Sequence, residues 1–149
     1  MGIPAFPFGV LCETAWIGNG YIENPQTIAD HLRNRRLELG TTQAKVAKML
    51  GVSEDTVTYW ENERSKPQIQ FFPKIIQFLG YNPSPVDTIT LAGRMKKYRL
   101  EHGLSQKDLA TLSGLDESSI CIWEKNEKQP LPSKRVIIEE ILNKKELSK

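Results

Sequence analysis

The sequence predicts an all-α chain folded as two similar small helical domains, on three observations. Apolar residues recur at the three- and four-residue spacings of amphipathic helices, and no segment shows the alternation of a strand. Glycines, prolines and capping residues cut these segments into short helices. The chain also repeats itself at a constant offset of 63: Gly40 pairs with Gly103, Gln43 with Gln106, Ala47 with Ala110, Gly51 with Gly114, Trp60 with Trp123, Glu61 with Glu124 and Pro67 with Pro130. Arg36-Leu37-Glu38 recurs as Arg99-Leu100-Glu101 in the same register. A fixed offset shared by glycines, apolar positions and a charge pair marks an internal duplication. Two units of about 60 residues each can close a small core, near the lower limit for independent folding.

Residues 1–24 are apolar but interrupted by Pro4, Pro7, Gly9, Gly18 and Gly20, and read as a flexible N-terminal tail. The alternative is that Phe6, Phe8, Trp16 and Ile17 pack onto a domain or a partner. The first domain is expected over 25–80. Pro25 opens a helix over 26–39 with Ile28, Leu32 and Leu39 as its buried stripe, and Gly40 ends it. The next helix, 43–50, places Val46, Ala47 and Leu50 on one face; Gly51 stops it in the left-handed conformation that glycine tolerates. Ser53 is the expected N-cap of a third helix around 54–63, with Glu54 and Asp55 in its first turn, where carboxylates suit the dipole. That helix turns Val57 and Trp60 inward and leaves Thr56, Thr58, Tyr59 and Asn62 to point elsewhere. Arg64-Ser65-Lys66-Pro67 is a basic loop, and a helix over 72–78, with Phe72, Ile75, Ile76 and Leu79, lids the core. Residues 81–90 form a proline-stiffened linker. The second domain, 91–149, repeats the plan with helices at 91–102, 106–113 and 117–126. A last helix from about 134 to 147 is expected to turn Val136, Ile137, Ile141 and Leu142 to the core.

Helix, short glycine turn and helix together form a helix-turn-helix unit. On Arg36-Leu37-x-x-Gly40, Thr42-Gln43, Val46-Ala47, Leu50-Gly51-Val52-Ser53, Thr56-Val57, Trp60-Glu61 and Pro67, the chain resembles the lambda-repressor-like (XRE/Cro-type) helix-turn-helix family, in two tandem copies. The resemblance runs over 28–79 without a gap. It implies domains of about five helices each and a sequence-specific transcriptional regulator of double-stranded DNA. The helix around 54–63, and in a lesser role that at 117–126, would enter the major groove. It further implies a mostly buried ion pair between Arg36 and Glu61, repeated as Arg99 and Glu124; removing one partner of such a pair costs about 3–5 kcal/mol. Gln43 falls on the family's phosphate-contacting glutamine, at a helix N-terminus that favours an anion. Thr42, Arg64 and Lys66 would add to it. Base readout falls to Ser53, Glu54, Asp55, Thr56, Thr58 and Tyr59, although the two acids also serve as capping charges. In the second copy Ser105 and Gln106 keep the anchor, and Glu117, Ser118, Ser119, Ile122 and Lys128 form a weaker reading face. Ile122 suits either a thymine methyl or packing against protein.

The net charge of +2 is too small for a nonspecific nucleic-acid coat, so DNA affinity must come from local placement of charge. Cys12 and Cys121 are the only cysteines, which argues against a disulfide framework and for a reducing cytoplasm. No apolar run reaches the length of a membrane span, and the N-terminus lacks a signal-peptide pattern. His31 and His102 have no ligand-spaced partners, and no Gly-rich phosphate loop or metal-spaced cysteine pair occurs. Neither an enzyme nor a metal or cofactor site is therefore expected. The alternative function is a protein-interaction or antitoxin-like role, in which the second domain or the N-terminal tail binds a partner protein or self-associates.

Overall fold

The computed structural model describes residues 20–144, and among these residues it is helical throughout, with no strand. Its order is α1 (Ile28–Glu38), α2 (Gln43–Leu50), α3 (Glu54–Glu61), a 3-10 turn (Ile69–Phe71), α4 (Phe72–Leu79), α5 (Leu91–His102), α6 (Gln106–Ser113), α7 (Glu117–Glu124) and α8 (Pro132–Asn143). Among the described residues each copy holds four α-helices, with the 3-10 turn leading into α4. The chain divides into two compact units. The first runs up to Pro67 and takes in Lys74–Pro83; the second joins Gln68–Pro73 to the residues from Ser84 onward.

In the first unit α1 begins at Ile28, two residues later than expected, because Thr27 caps it. The Asp30 amide donates to Thr27 Oγ1 (3.2 Å), while the amides of Thr27 and Gln26 donate to Asp30 Oδ2 (3.0 and 2.9 Å). Partial burial pushes the Asp30 carboxyl upward, but these hydrogen bonds outweigh it and hold the group below its usual range. Leu32, Val46, Leu50, Val57, Trp60 and Ile75 are buried in this unit. Leu39 is not part of its core, contrary to the expected stripe. It is the C-cap, past the last helical turn, and 42% exposed; Ala29 and Asn34 take the inward positions beside Leu32. Asn34 is satisfied by one residue, accepting from the Ile22 amide (2.9 Å) and donating to the Ile22 carbonyl (2.7 Å). The last residues of the expected tail are therefore held on α1. Phe6, Phe8, Trp16 and Ile17 lie outside the described residues.

The second unit closes around Leu91, Met95, Leu109, Ile120, Trp123 and Ile138, with Tyr98, Leu115, Ile122, Ile141 and Leu142 packed against them. Val136 and Ile137 were expected to face this core, yet they are 56% and 37% exposed, and Ile138 is fully buried instead. Three consecutive apolar residues fit several helical phases. The helix starts at Pro132 and takes the phase that puts Ile138, Ile141 and Leu142 at i, i+3 and i+4 on the inner face. Gly103 allows Gln68–Pro73 to join this unit: a Cβ there would stand 3.1 Å from Pro73 Cγ and 3.3 Å from Gln70 Cα.

The duplication is also written in the backbone. Gly40, Gly51 and Glu63 have φ of 56°, 73° and 55°, and their counterparts Gly103, Gly114 and Asn126 have 66°, 68° and 58°. The left-handed residue at Asn126 is why α7 stops at Glu124 and does not reach 126.

Candidate nucleic-acid interface

Gly51 links α2 to α3. With φ 73° it donates its amide to the Ala47 carbonyl, and Val52 follows with a 3.0 Å bond to the same carbonyl. A side chain at Gly51 would be strained in this conformation, which fixes the angle at which α3 leaves the turn. Ser53 caps α3 by accepting from the Thr56 amide (3.2 Å), and its hydroxyl also pairs with that of Thr56 (2.8 Å). Val57 and Trp60 then anchor α3 in the core, leaving Glu54, Asp55 and Tyr59 exposed and Thr56 and Thr58 half-buried.

A charge network holds this helix to the rest of the unit. Arg36 makes a two-pronged contact with Glu61, Nε to Oε1 at 2.7 Å and Nη2 to Oε2 at 2.8 Å, and Glu61 is 4% exposed. The hydrogen bonds from the guanidinium to Glu61 raise the Arg36 pKa further above its ordinary value. Gln43 Nε2 donates to Glu61 Oε2 (2.9 Å), and the Thr58 hydroxyl donates to Gln43 Oε1 (2.9 Å). Arg33 adds a clamp at the C-terminus of α3, donating to the Glu61 carbonyl (3.1 Å) and to Asn62 Oδ1 (3.2 Å). Nothing in the helical spacing pointed to that role for Arg33. Thr42 is the N-cap of α2, and Arg64 and Lys66 are exposed on the loop after α3.

The second copy reproduces the scaffold. Arg99 meets Glu124 at 2.6 and 2.8 Å, Gln106 Nε2 donates to Glu124 Oε2 at 2.8 Å, and Glu124 is 3% exposed. Its outer face differs. Ser105 and Asp108 form a capping box, with the Ser105 amide and hydroxyl both donating to Asp108 Oδ2 (2.8 and 2.6 Å). These bonds, the hydroxyl's first, hold the Asp108 carboxyl below its usual range. A carboxylate thus sits at the N-terminus of α6, where the first copy has Lys45. The pattern S/T-x-x-D was readable at Thr27–Asp30 and Ser105–Asp108. Ser119 donates its hydroxyl to Asp116, whose carboxyl this bond and the nearby Lys134 charge both lower. Ile122 is half-buried against the core of its unit. Glu117, Ser118 and Lys128 are exposed, and Glu127 and Gln129 stand where the first copy has Arg64 and Lys66.

Among the described residues, no helix is long and apolar enough to cross a membrane. A family model described as helix-turn-helix matches the chain twice, at residues 32–86 and 95–148. Neither the curated proteins nor the solved structures give a match.

Proposed function

Because the chain belongs to the helix-turn-helix family, a family of DNA-binding regulators, in its lambda-repressor-like form and as two tandem copies, we propose that it is a sequence-specific transcriptional regulator whose first copy makes the principal DNA contact. In this reading α3 lies in the major groove and presents Glu54, Asp55, Thr56 and Tyr59 to base edges. Gln43, Thr42 and the N-terminal amides of α2 meet phosphate, joined by Arg64 and Lys66. The observation that carries this is the contrast between two like scaffolds. The first copy leaves the N-terminus of α2 free of acid and follows α3 with two exposed cations. The second seats Asp108 at the N-terminus of α6 and, although Lys125 and Lys128 are exposed after α7, holds Glu127 and Gln129 at the positions of Arg64 and Lys66.

The same contrast favours a second reading for the second copy, as the site of a partner protein. Leu112, Leu131 and Val136 are large apolar side chains left exposed there. In-vitro selection of bound duplexes tests both readings, with wild type beside Gln43→Ala/Tyr59→Ala and Gln106→Ala/Ser119→Ala. One short motif, lost only in the first double variant, is the expected result. A motif with two unlike halves, each erased by one variant, would instead make the chain a two-headed reader. No enriched motif would sink the DNA-reading assignment.

A further inference from the structure

We propose that Thr58 is a positioning residue for the Gln43 phosphate anchor and not a reader of base edges, an inference that rests on the first copy being the DNA-contacting one. Thr58 faces outward enough on α3 to look like a base-reading position, and its hydroxyl suits several bases. Its single proton, however, already has acceptors inside the unit: Gln43 Oε1 at 2.9 Å, with the Glu54 carbonyl at 3.0 Å as the alternative. A hydroxyl committed in this way has no proton left to donate to a base.

The consequence falls on Gln43. Its terminal torsion is soft, with no deep rotameric well to hold the carboxamide plane. Two contacts fix it here. The amide nitrogen faces the Glu61 carboxylate, which accepts only from a donor, and the Thr58 hydroxyl holds the carbonyl oxygen on the other side. A flipped amide would set its oxygen against the carboxylate and its nitrogen against the hydroxyl proton. One Nε2–H is spent on Glu61, and the other is left with a defined direction, available to a phosphate oxygen. The chain Arg36, Glu61, Gln43, Thr58 therefore transmits the rigidity of a buried ion pair to an anchor at the helix N-terminus.

The second copy offers an internal comparison. Arg99, Glu124 and Gln106 repeat the first three members at matching distances, but the position of Thr58 is taken by Cys121. A thiol is a weak donor, and among the described residues no hydrogen bond joins it to Gln106. The scaffold part of the network is common to both copies. The hydroxyl that orients the glutamine belongs to the first alone.

The test uses the full chain and a duplex recovered by selection with wild type, with binding followed by fluorescence anisotropy. Thr58→Val is expected to weaken binding about three- to tenfold, the worth of one hydrogen bond, on selected and unrelated duplexes alike. The selected motif should stay unchanged. Thr58→Ser should bind like wild type, and Thr58→Val added to Gln43→Ala should weaken binding no further than Gln43→Ala alone. Thr58→Cys, a side chain the equivalent position already accommodates, repeats the test if the valine variant does not fold. Wild-type binding by the valine or cysteine variant overturns the proposal. So does relaxed preference at a single base pair, or an additive loss in the double variant. Failure of wild type to bind any duplex is a separate outcome, visible before any variant is made, and it overturns the first-copy reading together with this inference.

Discussion

Glu63 and Asn126 occupy the same left-handed position one residue past the cap of α3 and α7, with φ of 55° and 58°. Both close the helix in the same way. Arg64 and Glu127 send their amides back to the Tyr59 and Ile122 carbonyls, at 2.9 and 3.2 Å. Asparagine tolerates this conformation and glutamate does not, at a penalty of roughly 1–2 kcal/mol for an ordinary side chain. Glu63→Asn is therefore expected to stabilise the protein by about 1 kcal/mol, and Asn126→Glu to destabilise it by a similar amount. Urea midpoints decide the matter, and midpoints unmoved by both substitutions would refute it. The contrast shows what a sequence discloses at this scale. The offset placed Glu61 and Glu124 in equivalent roles, because charge pairs and large apolar residues leave a pattern. The Arg33 clamp and the bond between Thr58 and Gln43 left none, since they depend on where side-chain ends meet and not on which helix face they leave.

Among elements, those with explicit signals at both ends were legible to the residue. α2, α5 and α6 each start after a Thr or Ser cap and stop at or just before a glycine, and their limits matched the expected ones. Where a signal was ambiguous, packing decided. Pro25 suggested an early start for α1, but the Thr27–Asp30 box set it later, and the run of three apolar residues in α8 fixed no phase by itself. Capping also makes a pH prediction. Hydrogen bonds from Ser105 lower the Asp108 pKa in the folded state. A lowered folded value adds stability that is complete above the ordinary Asp value near about 4 and is lost as pH falls through the folded value. Asp108→Asn should therefore lower the urea midpoint at neutral pH, and its difference from wild type should shrink below about pH 4. An equal difference at both ends of that range would show that the carboxylate charge is not what α6 uses.

For the whole molecule, a net charge of only +2 makes the placement of cations decisive. If Arg64 and Lys66 each meet a phosphate, replacing both with alanine should flatten the slope of log affinity against log salt by about 2. The paired change Lys125→Ala/Lys128→Ala in the second copy should leave that slope nearly intact, and an equal flattening by both pairs would place the second copy on the backbone as well. The two tandem copies were readable, because duplication leaves a fixed offset in every kind of residue. The grouping of Gln68–Pro73 with the second unit was not, since it depends on the bare face of Gly103. The buried pairs carry one more consequence, for how the copies diverge over generations. Replacing Arg36 or Glu61 alone strands a buried charge at about 3–5 kcal/mol, a large share of what holds a small domain together. An alternative core is thus reachable only through two changes made together, whereas positions such as 58 and 121 change one step at a time. Inheritance under that constraint freezes the frame and leaves the outer faces to vary, so two descendants of one ancestral unit can take up different partners without ever passing through an unfolded intermediate form.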